Sequence, residues 1–289
     1  MTWESYNAIL QEEVFPYLKD EKGIKTMQKV VRSFRKCYDV DNDIDVSYQG
    51  DLERKAYFLT YFPAHARQMQ INLSFINNHI SRLITPRGFL KASFFACGPG
   101  SEFYGFISFL QKEKLFPELD VHFIDREVGW KPYIIEQLKR LENRGYKTIS
   151  RNYQDCFHQC TIEQCGLCKA DCKVFIGSPQ LVVMQNVINE KTFSREKFIN
   201  SIDKLLAKLK TGSILVFSET LYHSNKEFLE EVFAILQNSF KAKGLTAGCQ
   251  PRYSYVDYDY LPETLRVLNG ESGLIRKTRV NSYFLALQK

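Results

Sequence analysis

The sequence predicts an α/β protein, a doubly wound and mostly parallel sheet preceded by a helical extension. Three observations predict it. Residues 92–97 and 181–184 are short apolar runs without charge, as strands buried on both faces require. Segments with one apolar stripe at helical spacing separate such runs. The two kinds alternate along the chain, which is the pattern of βαβ units. With 289 residues, 44% of them hydrophobic, the chain can build a sizeable core.

Residues 1–87 read as the extension. Residues 3–18 carry Ile9, Leu10, Val14, Phe15 and Leu18 at helix-like spacing, with Pro16 breaking the end. Residues 24–37 place Ile24, Met27, Val30, Val31 and Phe34 on one stripe. Lys25, Lys29, Arg32, Arg35 and Lys36 face the other way, a surface for RNA or an acidic partner, or a solvated face. Residues 38–51, YDVDNDIDVSYQGD, form an acidic connector. Counted from Asp39, Ile44 and Gly50 stand where a calcium loop needs Gly and Glu. Pro63 is expected to divide residues 54–83, leaving an amphipathic helix over 64–83. Thr85-Pro86-Arg87-Gly88 turns the chain into the first strand.

The stretch KASFFACGPGSE, residues 91–102, then reads as strand, turn and helix start. Ser101 is expected as the N-cap, with Phe103, Phe106, Ile107 and Leu110 as the helix stripe. Glycine admits a ligand to the backbone, and free helix N–H groups favour anionic or electron-rich groups. Residues 120–125, DVHFID, make a second strand ending on Asp125, and residues 130–141 a second helix. Residues 146–155 are expected as a third strand and its loop.

Five of the eight cysteines follow within DCFHQCTIEQCGLCKADC: Cys156, Cys160, Cys165, Cys168 and Cys172, with His158 among them. Four thiolates can hold zinc or an iron–sulfur cluster; the alternative is a metal-free Cys-rich loop. Residues 180–190, QLVVMQNVINE, supply a fourth strand and its polar exit. A helix over 194–209, Thr211-Gly212 and a fifth strand over 213–218 come next. They are followed by a helix over 225–240, a tyrosine cluster (Tyr253, Tyr255, Tyr258, Tyr260) and a closing strand over 282–287.

Gly98 and Gly100 after a buried strand, an acid at the end of the second strand, and the polar exit of the fourth carry a resemblance. Over roughly residues 88–289 the chain resembles the class I S-adenosylmethionine (SAM)-dependent methyltransferases. It departs from their motif I in two places: Phe94 stands where an acid is usual, and Ala96 replaces the first glycine. The resemblance implies a seven-stranded Rossmann-like domain at 88–289, with a Cys-rich insert at about 156–172 and a helical cap at 1–87. It implies SAM held by Ala96, Cys97, Gly98, Pro99 and Gly100, with Asp125 accepting from both ribose hydroxyls. Arg126 would flank the adenosine, Asp155 would meet the adenine amino group, and Gln185 and Asn186 would face the methyl group. Asn189 and Glu190, and Tyr61 and His65 with Tyr57 and Arg67 on the cap, are the remaining acceptor-side candidates. The base-methylating Asn/Asp-Pro-Pro-aromatic motif and the His base of small-molecule O-methyltransferases are absent. The VINE run is similar to a segment of a ribosome-associated methyltransferase-like branch that also carries a Cys cluster.

The expected acceptor is therefore RNA or a ribosomal particle. A small molecule is the alternative, and a non-catalytic RNA- or protein-binding scaffold is the rival from another class. A net charge of +6 permits a nucleic-acid partner without requiring one. No apolar run approaches the ~20 residues of a membrane span. The acidic start MTWESYNAILQEEVF lacks the apolar core of a secretion signal, so a cytoplasmic location without membrane contact is expected. A nicotinamide fingerprint fits poorly, because its third glycine would fall on Phe103.

Overall fold

In chain order the elements are α1 (Glu4–Ile9, continued by a π turn Leu10–Val14 and a 3-10 turn Phe15–Leu18), α2 (Glu21–Cys37), α3 (Asp51–Ser74) and α4 (Asn77–Leu83). Next come β1 (Phe89–Phe95), α5 (Ser101–Lys112), β2 (Glu118–Asp125), α6 (Lys131–Lys139), β3 (Lys147–Thr148) and β4 (Phe157–Gln159). The last six are β5 (Leu181–Gln185), α7 (Arg195–Lys208), β6 (Ile214–Thr220), α8 (His223–Phe240), β7 (Lys243–Tyr255) and β8 (Arg279–Gln288). The computed structural model describes residues 3–37, 47–141, 144–148, 153–161, 164, 178–188, 194–220, 223–240, 243–255 and 279–289.

The sheet runs β3–β2–β1–β5–β6–β8–β7, and β4 also pairs with β2. All pairs from β3 to β6 are parallel, and β8 is antiparallel to both β6 and β7. This is the expected doubly wound, mostly parallel fold. The third strand differs from expectation. Instead of one strand and its loop over 146–155, β3 pairs with Glu118 and Leu119 and β4 pairs with Phe123–Asp125, so two fragments share one edge of β2.

Strand β1 is central because both its faces are apolar. Leu90, Ala92 and Phe94 join a core cluster with α3, α5 and α6, while Phe95 joins the cluster of α7 and α8. The chain leaves β1 for β2 on one side and later returns to β5 on the other. The carboxyl ends of the two neighbours therefore flank a crevice at the end of β1, where open α/β sheets place ligands.

The N-terminal helices pack onto the sheet rather than standing apart from it. Trp3 stacks on Tyr104 of α5 at 5.2 Å, and Tyr6 stacks on Phe62 of α3 at 5.3 Å. Pro63 does not divide α3. A mid-helix proline costs ~3 kcal/mol, yet α3 buries Phe58, Leu59, Phe62, Met69 and Leu73 completely or nearly so, each worth ~1.5–3 kcal/mol. Close approach to α5 needs Gly105, where a Cβ would lie 2.3 Å from the Ala66 carbonyl oxygen. Among the described residues no helix is long and apolar enough to cross a membrane. Residues 38–46 of the expected acidic connector lie outside the described residues, as do Tyr258 and Tyr260.

Candidate functional site

The loop from β1 to α5 is built on left-handed backbone. Ala96 (φ 50°), Gly98 (φ 48°) and Gly100 (φ 81°) all adopt it. Ala96 therefore takes a conformation that glycine adopts more easily, where the first motif glycine would stand. The two glycines differ in surroundings. A Cβ at Gly100 would meet Ile134 Cδ1 at 2.5 Å, while nothing lies within 4 Å of a Cβ at Gly98. Gly100 is the N-cap of α5, and Ser101, expected in that place, is its first residue.

Asp125 closes the loop from the side. It is buried, its Oδ2 accepts from Gly98 N at 2.7 Å, and its Oδ1 accepts from Glu127 N at 2.8 Å. A carboxylate in that place holds the loop after β1 and the turn after β2 together. Cys97 is buried beneath, and burial, with the charges of Asp125 and Glu102, pushes its thiol well above the ordinary range. That makes Cys97 an inert packing residue rather than a nucleophile. Pro99 is buried, and its carbonyl accepts from Gln137 Nε2 of α6 at 2.6 Å.

The second half of the crevice lies at the ends of β5 and β6. Gln185 is buried and donates from Nε2 to the His65 carbonyl at 3.0 Å, which ties β5 to α3. Asn186 is in the left-handed region (φ 54°), and its Oδ1 accepts from Thr220 N and Thr220 Oγ1. Gln185 Oε1 and Asn186 Nδ2 are buried without a hydrogen-bond partner. Glu219, which the sequence reading missed, is fully buried and accepts from Val187 N at 2.7 Å. Asn189 and Glu190 lie outside the described residues.

Helix α3 carries an aromatic wall beside this crevice. Tyr57 stacks on Tyr61 at 5.2 Å and packs against Tyr48 and Trp130 at 5.1 and 5.7 Å. The Tyr57 hydroxyl lies 3.2 Å from His65 Nδ1. Arg54 reaches Glu127 just past β2 at 3.8 Å. Arg67 instead donates to Gln70 on its own helix. Nothing in the chain's spacing pointed to Tyr48 or Trp130, because their partners come from separate elements.

Four further expected residues, Asp155, Arg126, Cys156 and Cys160, lie around β4. The register sets Gln159 beside Asp125, whereas Asp155 is exposed on the turn that enters β4, at the other end of that strand. Arg126 is exposed, and its carbonyl accepts from Gln159 Nε2 at 3.3 Å. Cys156 belongs to the α3–α5–α6 core cluster, whereas Cys160 packs against the α7–α8 cluster. Cys165, Cys168 and Cys172 lie outside the described residues, and among the described residues no three His, Cys, Asp or Glu side chains group to hold a metal.

The loop fits an adenosyl ligand carrying an amino acid. Space is open above Gly98, the buried Asp125 carboxylate stands beside it, and Glu102 in the first turn of α5 is buried with Oε1 unbonded. Its other oxygen accepts from Ser101 Oγ at 3.0 Å. Burial chiefly, with the nearby charge of Asp125, raises the Glu102 carboxyl from the ordinary 4.5 to about 8.

No protein-family model and no curated protein matches the chain. Solved structures do resemble it. The N-methyltransferase NodS from Bradyrhizobium japonicum WM9, in complex with S-adenosyl-L-homocysteine, is 13% identical at a TM-score of 0.44, over 90% of this chain and 98% of that one. An rRNA methylase from Streptococcus thermophilus is 12% identical at 0.41, over 76% and 95%. A SAM-dependent methyltransferase from Leishmania major is 12% identical at 0.41, over 97% and 90%.

Proposed function

We propose that the chain is a SAM-dependent methyltransferase. The observation that carries this reading is the Asp125 carboxylate, hydrogen-bonded onto the loop after β1 at Gly98 where space is open for a ligand. In this reading Ala96–Gly100 cradle the cofactor's amino-acid end and Asp125 accepts from the ribose hydroxyls. When bound, SAM supplies a sulfonium methyl group, and its transfer is an in-line displacement that depends chiefly on alignment. Gln185 and Asn186 orient the acceptor through their unbonded amide atoms. His65, paired with Tyr57, takes the proton that an acceptor O–H or N–H gives up. Asn189 and Glu190 stay in the proposal as residues that follow β5.

For the acceptor we favour RNA or a ribosomal particle. Lys22, Lys25, Lys29 and Arg32 are exposed at i, i+3 and i+4 spacings on α2, and of these Lys25 pairs with Glu21 at 2.6 Å. The aromatic wall of Tyr48, Tyr57, Tyr61 and Trp130 favours a second reading, a flat small-molecule acceptor. Zinc or an iron–sulfur cluster at Cys156, Cys160, Cys165, Cys168 and Cys172 is not part of either reading.

Calorimetric titration of SAM and S-adenosylhomocysteine, with Asp125→Ala beside the native chain, tests the cofactor. Micromolar binding that the variant loses supports the proposal; no binding to the folded native chain moves the weight to a scaffold. Transfer of labelled methyl to RNA, abolished by reversing Lys25 and Lys29 to Glu, separates the two acceptor readings.

A further inference from the structure

The first acid of motif I is missing, and the structure explains why Phe94 cannot replace it. Phe94 is fully buried among Phe103, Phe106 and Phe123, with ring centroids 5.4–5.8 Å away. An acid at that position would be buried in an aromatic cluster. A different carboxylate is close at hand. Glu102 is two residues past Gly100, and its side chain is 3% exposed. Among the described residues no lysine, arginine or histidine forms an ion pair with it. Among the described residues its hydrogen-bond partner is Ser101 Oγ, and Oε1 has none.

Glu102 and Gly105 lie three apart on one face of α5, and Gly105 is pressed against Ala66 of α3. Glu102 is buried, and the groups that act on it are Ser101 beside it, Cys97 of the glycine loop and Asp125 at the end of β2. Its titratable neighbours are Asp125 at the end of β2 and the Cys97 thiol in the loop, and neither supplies a positive charge. A buried carboxylate beside another carboxylate, with one oxygen unbonded, is poor for stability and well suited to a cationic ligand.

We infer that Glu102 receives the ammonium group of the bound cofactor's methionine moiety, the role that Phe94 leaves vacant. This rests on the SAM reading above. An ammonium group offers three donors, and a carboxylate held at a helix N-terminus is already oriented to accept one. The ligand's positive charge also stabilises the ionised form of Glu102. Binding near neutral pH should then release a proton, because Glu102 holds one in the free chain.

The test compares three probes on the native chain and Glu102→Gln. SAM and S-adenosylhomocysteine both carry the ammonium group; 5′-methylthioadenosine has the same adenosine thioether without the amino acid. The expected result is a loss of roughly 10- to 100-fold for the first two in Glu102→Gln, with methylthioadenosine unchanged. Calorimetry in buffers of different ionisation enthalpy should show up to one proton released by the native chain at pH 7, and none by the variant. If Glu102→Gln binds S-adenosylhomocysteine like the native chain, or weakens all three probes equally, the inference is overturned while the SAM reading stands. If the native chain binds none of the probes, both fail.

Discussion

At the residue scale, two glycines two residues apart, Gly98 and Gly100, answer to different constraints. Gly100 is closed in by Ile134 and has φ 81°, so Gly100→Ala should lower stability by about 2–4 kcal/mol, read by urea denaturation. Gly98 faces open space, so Gly98→Ala should cost only about 1 kcal/mol of left-handed strain while its methyl group enters the ligand's place. Its Tm should stay near native while SAM affinity falls. A Gly98→Ala chain that binds SAM normally would remove the cradle from that loop. Glu102 makes a further prediction through pH. Its carboxyl sits at about 8 in the folded chain against 4.5 when exposed, chiefly because of burial. The native state then holds a proton that the unfolded chain has lost, so stability falls as pH rises through that interval, by at most about 1.4 kcal/mol per unit. Urea midpoints at pH 6 and pH 8 should drop for the native chain and flatten for Glu102→Gln.

At the element scale, α3 is fastened to the sheet by polar contacts inside an apolar face. Gln68 Nε2 and Asn72 Nδ2 donate to Ser218 Oγ at 2.8 and 2.7 Å, and Asn72 also donates to Ser282 Oγ at 3.2 Å. These groups are buried, so removing one strands the others. Asn72→Ala should cost about 1–3 kcal/mol, and a double-mutant cycle with Ser218→Ala should show coupling well above 0.5 kcal/mol. Additive effects would mean the contacts do not act as a staple. The same helix shows why Pro63 misled a local reading. Proline's cost is local and visible in sequence, whereas the burial that offsets it comes from α5 and the sheet.

At the scale of the whole molecule, the N-terminal helices share one core cluster with the sheet. Trp3, Tyr6, Met27 and Val31 belong to the same cluster as Phe94, Phe106 and Val183. A chain lacking residues 1–37 would uncover Tyr104, Phe58 and Phe62. It should unfold at a midpoint well below native and bind an apolar dye, with the full chain showing one transition by near- and far-UV dichroism. An unchanged midpoint would make the N-terminal helices an independent appendage.

Alternation of apolar runs with amphipathic segments was enough to specify the sheet and its mostly parallel sense, because periods of two and 3.6 residues are written into the chain itself. Gly98, Gly100 and Asp125 were marked as candidates by residue type and by the family resemblance, glycine for backbone freedom and the acid for acceptor chemistry. Tertiary structure alone decided the rest. Asp155 and Gln159 could not be told apart as neighbours of Asp125 until the β2–β4 register was known. Glu102 looked like an ordinary acid at a helix start, since burial and a missing cation depend on what the loop after β1 and the end of β2 bring against it. Tyr48, Tyr57 and Trp130 come from a loop, a helix and a turn, and only the packing of α3 makes them one wall. A local pattern encodes how a segment folds; which segments meet is set by the joint burial of their faces.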